Sequence, residues 1–232
     1  MNAPTLEVLY EDNHLLAVNK PAGLATMGAA AGESSLFELA KQYIKHKYQK
    51  PGEVYLGVVS RLDALVTGVT MFARTSKAAA RLSEQFRTRD VEKTYWAIVE
   101  GAQVPPSDEC VDWLLKDEAA HRMKVVQQHI GGALEARLSF RRLQVLGAGT
   151  LLEIMLETGR KHQIRVQLAE RGWPVLGDRK YDSHRTFGVG IALHARKLVI
   201  EHPTRREPIE IIAPLPASWQ RLGIPQAVDK LS

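Results

Sequence analysis

Cysteine is nearly absent from this sequence, with Cys110 the only one among 232 residues. A single thiol cannot close an intrachain disulfide and cannot supply a multi-cysteine zinc or iron-sulfur site. That usage agrees with a reducing compartment, so the cytoplasm is the expected location. Long apolar runs are missing too: none approaches the roughly 20 residues that span a bilayer, so no membrane partner is expected. The opening Met1-Asn2-Ala3-Pro4-Thr5-Leu6-Glu7 lacks the basic start and apolar core of a signal peptide. There is no Gly-x-x-x-x-Gly-Lys-Ser/Thr phosphate loop, no Gly-x-Gly-x-x-Gly after a strand, no His-Glu-x-x-His and no Gly-x-Ser-x-Gly. Nucleotide-cofactor, zinc-protease and serine-hydrolase readings therefore lose their support. The eight histidines are dispersed, with none paired at i, i+4, and no metal is expected.

What is present is an ordinary globular composition, 45% apolar and 25% charged. No Pro/Gly/Ser tract long enough to be a flexible linker interrupts the chain, so residues 1–232 read as a single compact domain. Lys and Arg total 31 against 26 Asp and Glu, a net charge of +5. A mildly basic balance suits an anionic partner. The charge concentrates in Arg160-Lys161-His162-Gln163-Ile164-Arg165, in Arg137-Leu138-Ser139-Phe140-Arg141-Arg142 and at Arg196-Lys197.

Hydrophobic periodicity predicts an opening hairpin, Leu6 to Tyr10 and Leu15 to Val18, around the polar Glu11-Asp12-Asn13. Ser34 or Ser35 caps a helix to about Tyr48, with Leu36, Leu39, Ala40, Tyr43 and Ile44 forming one apolar stripe. Strands follow at Tyr55 to Val59 and Val69 to Ala73, then a helix capped by Ser76 and running to about Arg87, then a strand from Thr94 to Val99. Further strands are expected at Val111 to Leu115, Met123 to Gln127, Leu134 to Leu146 and Leu151 to Leu156, with no ten-residue helical pattern between them. That favours an antiparallel meander over repeated βαβ units. A short helix from Gln163 to Arg171 and a closing hairpin, Leu198 to Glu201 with Ile209 to Ile212, complete an α+β protein. Its sheet is mixed, largely antiparallel and flanked by helices.

The polar connector Ser60 to Gly68, lying between two apolar strands, contains Ser60-Arg61-Leu62-Asp63-Ala64-Leu65-Val66-Thr67-Gly68. Three more strings stand out: Asn19-Lys20-Pro21-Ala22-Gly23-Leu24, Lys93-Thr94-Tyr95-Trp96-Ala97-Ile98-Val99 and Glu157-Thr158-Gly159-Arg160-Lys161-His162-Gln163-Ile164-Arg165. In this order and spacing they resemble the pseudouridine synthases of the RluA family. Leu176-Gly177-Asp178-Arg179-Lys180-Tyr181, Leu193-His194-Ala195 and His202-Pro203 extend the resemblance over nearly the whole chain. Each string alone is weak; together and in order they are specific.

The resemblance implies the pseudouridine synthase fold and isomerisation of uridine to pseudouridine in structured RNA, ribosomal or transfer, with no cofactor. It assigns Asp63 as the catalytic carboxylate, suited to attack the ribose or to take a ribose proton beside developing positive charge. Tyr95 becomes the ring that stacks on uracil and offers its hydroxyl for proton transfer, Arg165 the cation that orients Asp63, and Arg61 the residue linked to flipping the base from the RNA. Lys20, Arg160, Lys161 and His162 become phosphate contacts, which position RNA without reading its sequence. Relatives often carry an S4-like RNA-binding domain, whereas this sequence starts with the catalytic pattern, so RNA affinity is expected from the catalytic domain itself. A monomer without an obligate protein partner is expected.

Taken from the residues alone, other readings stay open. Asp63 suits a turn aspartate, Tyr95 a sheet-core tyrosine, Arg165 a surface arginine with a buried stem, and Arg61 a partner of a local carboxylate. The cationic strings suit solvated edges, and Cys110 a small buried apolar residue. The chain departs from the family pattern at Ser60, Val66, Lys161 and Gln167, which motivates an alternative: a catalytically idle RNA-binding module on the same scaffold. The retained Asp63 argues against it. A nucleoside or glycoside hydrolase would need a second carboxylate that the sequence does not mark.

Overall fold

A computed structural model describes residues 6–28, 32–101 and 103–224. In chain order the first elements are β1 (Val8–Glu11), β2 (Leu15–Lys20), α1 (Leu36–Lys47), β3 (Gly57–Val58), β4 (Thr67–Ala73) and α2 (Ser76–Thr88). The strands β5 (Glu92–Val99), β6 (Ser107–Asp117), β7 (Arg122–Val126), β8 (Leu134–Leu146) and β9 (Gly149–Leu156) follow without an intervening helix. Then come α3 (Gln163–Glu170), β10 (Leu193–Glu201), β11 (Pro208–Ile212) and α4 (Ala217–Gln220). The class is α+β, and the strands pair antiparallel throughout both meanders described below.

The chain packs as two compact units, one drawn from Met1–Val91 with Ala195–Pro214 and the other from Glu92–His194 with Leu215–Ser232. The sequence marks no such division, because both units are discontinuous and the crossings at Val91 and His194 carry no linker composition. Val91 is itself buried in the core of the first unit.

In the first unit β1 and β2 form the expected hairpin, and its turn is closed by Asp12, whose Oδ1 accepts from the main-chain N–H groups of His14 at 2.7 Å and Leu15 at 2.8 Å. His202 bonds to the other oxygen of Asp12 through Nε2 at 2.8 Å, pinning that turn to the segment after β10. β2 reads Leu-Leu-Ala-Val because it is buried on both faces. Leu15 and Ala17 enter a core with Met71, Leu82, Leu198, Ile200 and Ile211, while Leu16 and Val18 enter another with Leu36, Ala40, Ile44 and Phe72. The sheet is thus covered by α2 on one side and α1 on the other.

α1 starts where the sequence placed it, with a full capping box between Ser35 and Glu38. The cap of α2 is Thr75, one residue before the expected Ser76, and its side chain accepts from the Ala78 N–H. Gly68 opens the main body of β4 at φ +112°, and a Cβ there would lie 2.2 Å from the carbonyl oxygen of Ala195. Only glycine fits between these two stretches of backbone.

The second unit is built on an antiparallel sheet in the order β5-β9-β8-β6-β7. Registers Tyr95↔Ile154, Ile154↔Phe140 and Leu138↔Cys110 put these side chains on one face. α3 lies against that same face, packing Val166 with Leu114, Ala136 and Tyr181. Gln167, fully buried on α3, anchors the helix by donating from Nε2 to Asp112 Oδ2 at 2.7 Å and to the carbonyls of Cys110 and Ala136, each at 3.2 Å. Cys110 is itself fully buried, as a small apolar residue would be.

Candidate active site

Asp63 lies in the first unit, on the polar connector between β3 and β4, and is half-buried. A turn follows it, closed by the Val66 N–H donating to the Asp63 carbonyl at 3.0 Å. The peptides on either side of Asp63 are held by the segment that runs from Lys20 to Thr26. Before Asp63, the Thr26 hydroxyl accepts from Leu62 N–H at 3.1 Å and donates to Leu62 C=O at 2.9 Å. After it, the Ala64 carbonyl accepts from Gly23 N–H at 2.8 Å and from Lys20 Nζ at 3.0 Å. Arg61, two residues ahead, is exposed.

Lys20 occupies a different role from the phosphate contact expected of it. Its side chain is fully buried, and Nζ donates to the carbonyls of Pro21 and Leu24, each at 2.8 Å, as well as to Ala64. An ammonium has three N–H donors, and all three are used on main-chain oxygens. Burial pushes its pKa down to about 7, opposed by the negative charge of Asp63. The lysine therefore joins the Pro21–Leu24 turn to the Asp63 connector and places a charge near the carboxylate. Sequence shows the charge but not the carbonyls that collect around it.

The second unit holds the remaining assigned residues. Tyr95 is half-buried on β5, on the sheet face that α3 covers. Arg165, on α3, is buried and doubly bonded to Asp178, with Nε–Oδ2 at 2.6 Å and Nη2–Oδ1 at 2.8 Å. Its guanidinium carbon also stands 5.0 Å from the centre of the Tyr181 ring. The Tyr181 hydroxyl accepts from Met123 N–H at 3.0 Å and shares a hydrogen bond with His162 Nδ1 at 2.8 Å. Arg165, Asp178, Tyr181 and His162 thus form one connected group that fixes the guanidinium in plane and direction.

Arg160 is half-buried, with Nε donating to the Glu135 carbonyl at 2.9 Å, and Lys161 is exposed beside it. His162 begins α3 with a left-handed backbone, φ 54°, which turns the chain sharply into the helix. Asp178, Tyr181 and Thr26 were not singled out from sequence. The Leu176 to Tyr181 string was visible as a motif, but nothing in the one-dimensional pattern marks Asp178 as the partner of an arginine 13 residues earlier. Among the described residues, no group of three or more His, Cys, Asp or Glu is arranged to hold a metal ion, and no helix is long and apolar enough to cross a membrane.

This architecture is shared with a solved human protein, RNA pseudouridylate synthase domain containing 4, at a TM-score of 0.78 and 26% identity over 94% of each chain. The fold class is therefore that of the pseudouridine synthases. A sequence model of the RNA pseudouridylate synthase family matches residues 14–170, a span that takes in Lys20, Asp63, Tyr95 and Arg165. An uncharacterised RNA pseudouridine synthase of Synechocystis is 34% identical over 94% of this chain and 68% of its own. Ribosomal large subunit pseudouridine synthase D of Xanthomonas campestris is 36% identical over 94% of this chain and 68% of its own. Ribosomal large subunit pseudouridine synthase C of Vibrio cholerae is 33% identical over 92% and 67%. The chain belongs to the RNA pseudouridylate synthase family, and its activity is the isomerisation of uridine in RNA.

Proposed function

We propose that the substrate is ribosomal RNA of the large subunit, and that Asp63 is the carboxylate that drives the isomerisation. The reaction breaks the bond from uracil N1 to the ribose and forms one from C5 to the same carbon. N1 gains a proton, C5 loses one, and no redox change or outside energy is involved. A carboxylate meets that demand by attacking the ribose or by taking a ribose proton while positive charge develops. The observation that carries the assignment is the position of Asp63, half-buried in a connector whose flanking peptides are both tied down, within an intact Arg61-Leu62-Asp63 string. A reacting group held this firmly needs little reorganisation at the moment of reaction.

Tyr95 supplies the aromatic face for the uracil, Arg165 the orienting positive charge, and exposed Arg61 the side chain that braces the RNA after the base leaves its stack. Arg160 and Lys161 contact phosphates. His162, bonded to Tyr181, supports Arg165 as well as adding to the basic edge. The protein acts as a monomer. The choice of ribosomal RNA rests on relatives named for the large subunit.

The test is to map pseudouridines in total cellular RNA with and without the protein, and to repeat the map with Asp63→Asn. Asparagine keeps the size and hydrogen-bond acceptor of aspartate but lacks the charge and the nucleophilic oxygen. A site in large-subunit RNA that depends on wild type and is lost in the variant is the expected result. A site found only in transfer RNA would overturn the substrate, undiminished activity of Asp63→Asn would overturn the catalytic role, and no site anywhere would favour the idle module.

A further inference from the structure

We propose that Thr26 is a positioning residue for Asp63, its hydroxyl setting the depth and angle at which the carboxylate is presented. The inference rests on the catalytic reading of Asp63 given above. Thr26 is buried, yet its one hydroxyl satisfies both main-chain polar groups of Leu62, accepting at 3.1 Å and donating at 2.9 Å. It acts as a one-residue substitute for a β-ladder, joining positions 36 residues apart in the chain. A Leu62 peptide left without it would lose the partners of a partly buried donor and acceptor together.

The main chain of Thr26 is itself fixed, and to a different element. The first N–H groups of a helix have no partner inside it. In α1 they are taken up by this segment: Leu36 N–H donates to Ala25 C=O at 2.9 Å and Phe37 N–H to Thr26 C=O at 3.1 Å. The backbone of Thr26 is therefore anchored to α1 and only its side chain reaches the catalytic connector. On the other side of Asp63, Gly23 and Lys20 hold Ala64. With one side released, the carboxylate has a hinge at Leu62, and displacement of a reacting atom by about 1 Å costs on the order of a hundredfold in rate.

The geometry separates this role from general packing. Valine keeps the branched shape of Thr26 and the main-chain bonds to α1 and removes only the hydroxyl, whereas serine keeps the hydroxyl and removes a methyl group. Pseudouridine formation is measured at saturating and limiting RNA for wild type, Thr26→Val, Thr26→Ala, Thr26→Ser and Asp63→Asn, with thermal unfolding followed alongside. The expected result is a kcat reduced about 10- to 100-fold in Thr26→Val and Thr26→Ala, with KM within about twofold of wild type. Thr26→Ser restores most of the turnover. Asp63→Asn inactive with kcat undiminished in Thr26→Val or Thr26→Ala overturns the proposal alone. So does a loss that Thr26→Ser shares equally, since that tracks the methyl group. Asp63→Asn with wild-type turnover overturns the catalytic reading and this proposal with it. If Thr26→Val does not fold, Thr26→Ala and Thr26→Ser decide between these outcomes.

Discussion

Replacing Asp178 by Asn tests the arrangement around Arg165 most directly. The two side chains are 0% and 4% exposed and joined by bonds of 2.6 and 2.8 Å, so neither charge has water to fall back on. An exposed ion pair is worth at most about 1 kcal/mol. A buried pair is different: the attraction roughly offsets the cost of desolvation, but removing one partner takes from the other buried charge its bidentate counter-ion, at about 3–5 kcal/mol. Asparagine also turns an N–H group toward the guanidinium, donor against donor. For a chain of this size about 3 kcal/mol lowers Tm by roughly 10 °C. The double variant Asp178→Leu with Arg165→Met removes both charges of this pair, so it should unfold above Asp178→Asn and be inactive. The assay is thermal unfolding of the three proteins at one pH and salt, with pseudouridine formation in parallel. A Tm for Asp178→Asn within about 2 °C of wild type, or a double variant less stable than the single one, would refute the reasoning.

Burial lowers the pKa of Lys20 to about 7 from 10.5. Between those values the unfolded chain binds the extra proton, so this residue's contribution to stability rises with pH across the window. Wild type should therefore gain on Lys20→Met in denaturant unfolding from pH 7 upward, and a difference that does not change with pH would contradict it. Cys110, fully buried and with its pKa pushed up to about 11 by burial, should react with a thiol reagent at pH 8 only on unfolding; prompt reaction of the native protein would count against its placement. If Arg61, Arg160 and Lys161 meet phosphates, RNA affinity should fall steeply with salt, and removing one of them should flatten the log-log slope by about one unit or slightly less; a slope unchanged in all three variants would exclude these contacts.

Secondary structure was largely legible because its signals are local. β8 spans the predicted Leu134 to Leu146, and Ser35 caps α1 with Glu38 in the reciprocal position. The strand expected from Tyr55 to Val59 contracts to Gly57–Val58, with Tyr55 half exposed, because apolar content alone does not reveal whether a neighbour is there to pair with. The site was legible only to the extent that its residues fall in motifs. Lys20 carries a charge in sequence, and a charge suggests solvent or phosphate; its burial depends on carbonyls from three different residues converging on one atom. Thr26 has no periodicity or charge to mark it, and its importance arises from a contact with Leu62 that no local pattern encodes. The division into two units has no local signal for a similar reason, since it follows from where the chain returns.

That return has a consequence for synthesis. The core of the first unit needs Leu198, Ile200, Ile209, Ile211 and Ala213 beside Leu15, Met71 and Leu82, and β4 passes Gly68 against the backbone of Ala195. A ribosome makes the N-terminal part of this core first, then all of Glu92–His194, before it delivers the strands that complete it. The nascent chain thus carries an unfinished apolar face while a second unit is built behind it, and β4 waits for the neighbour that covers its edge. Pairing across so long a separation in sequence is slow to form. A stall or truncation before Ala195 therefore leaves this core without β10 and β11 and Gly68 without the backbone it packs against, while the Asp63 connector keeps its bonds to Lys20, Gly23 and Thr26.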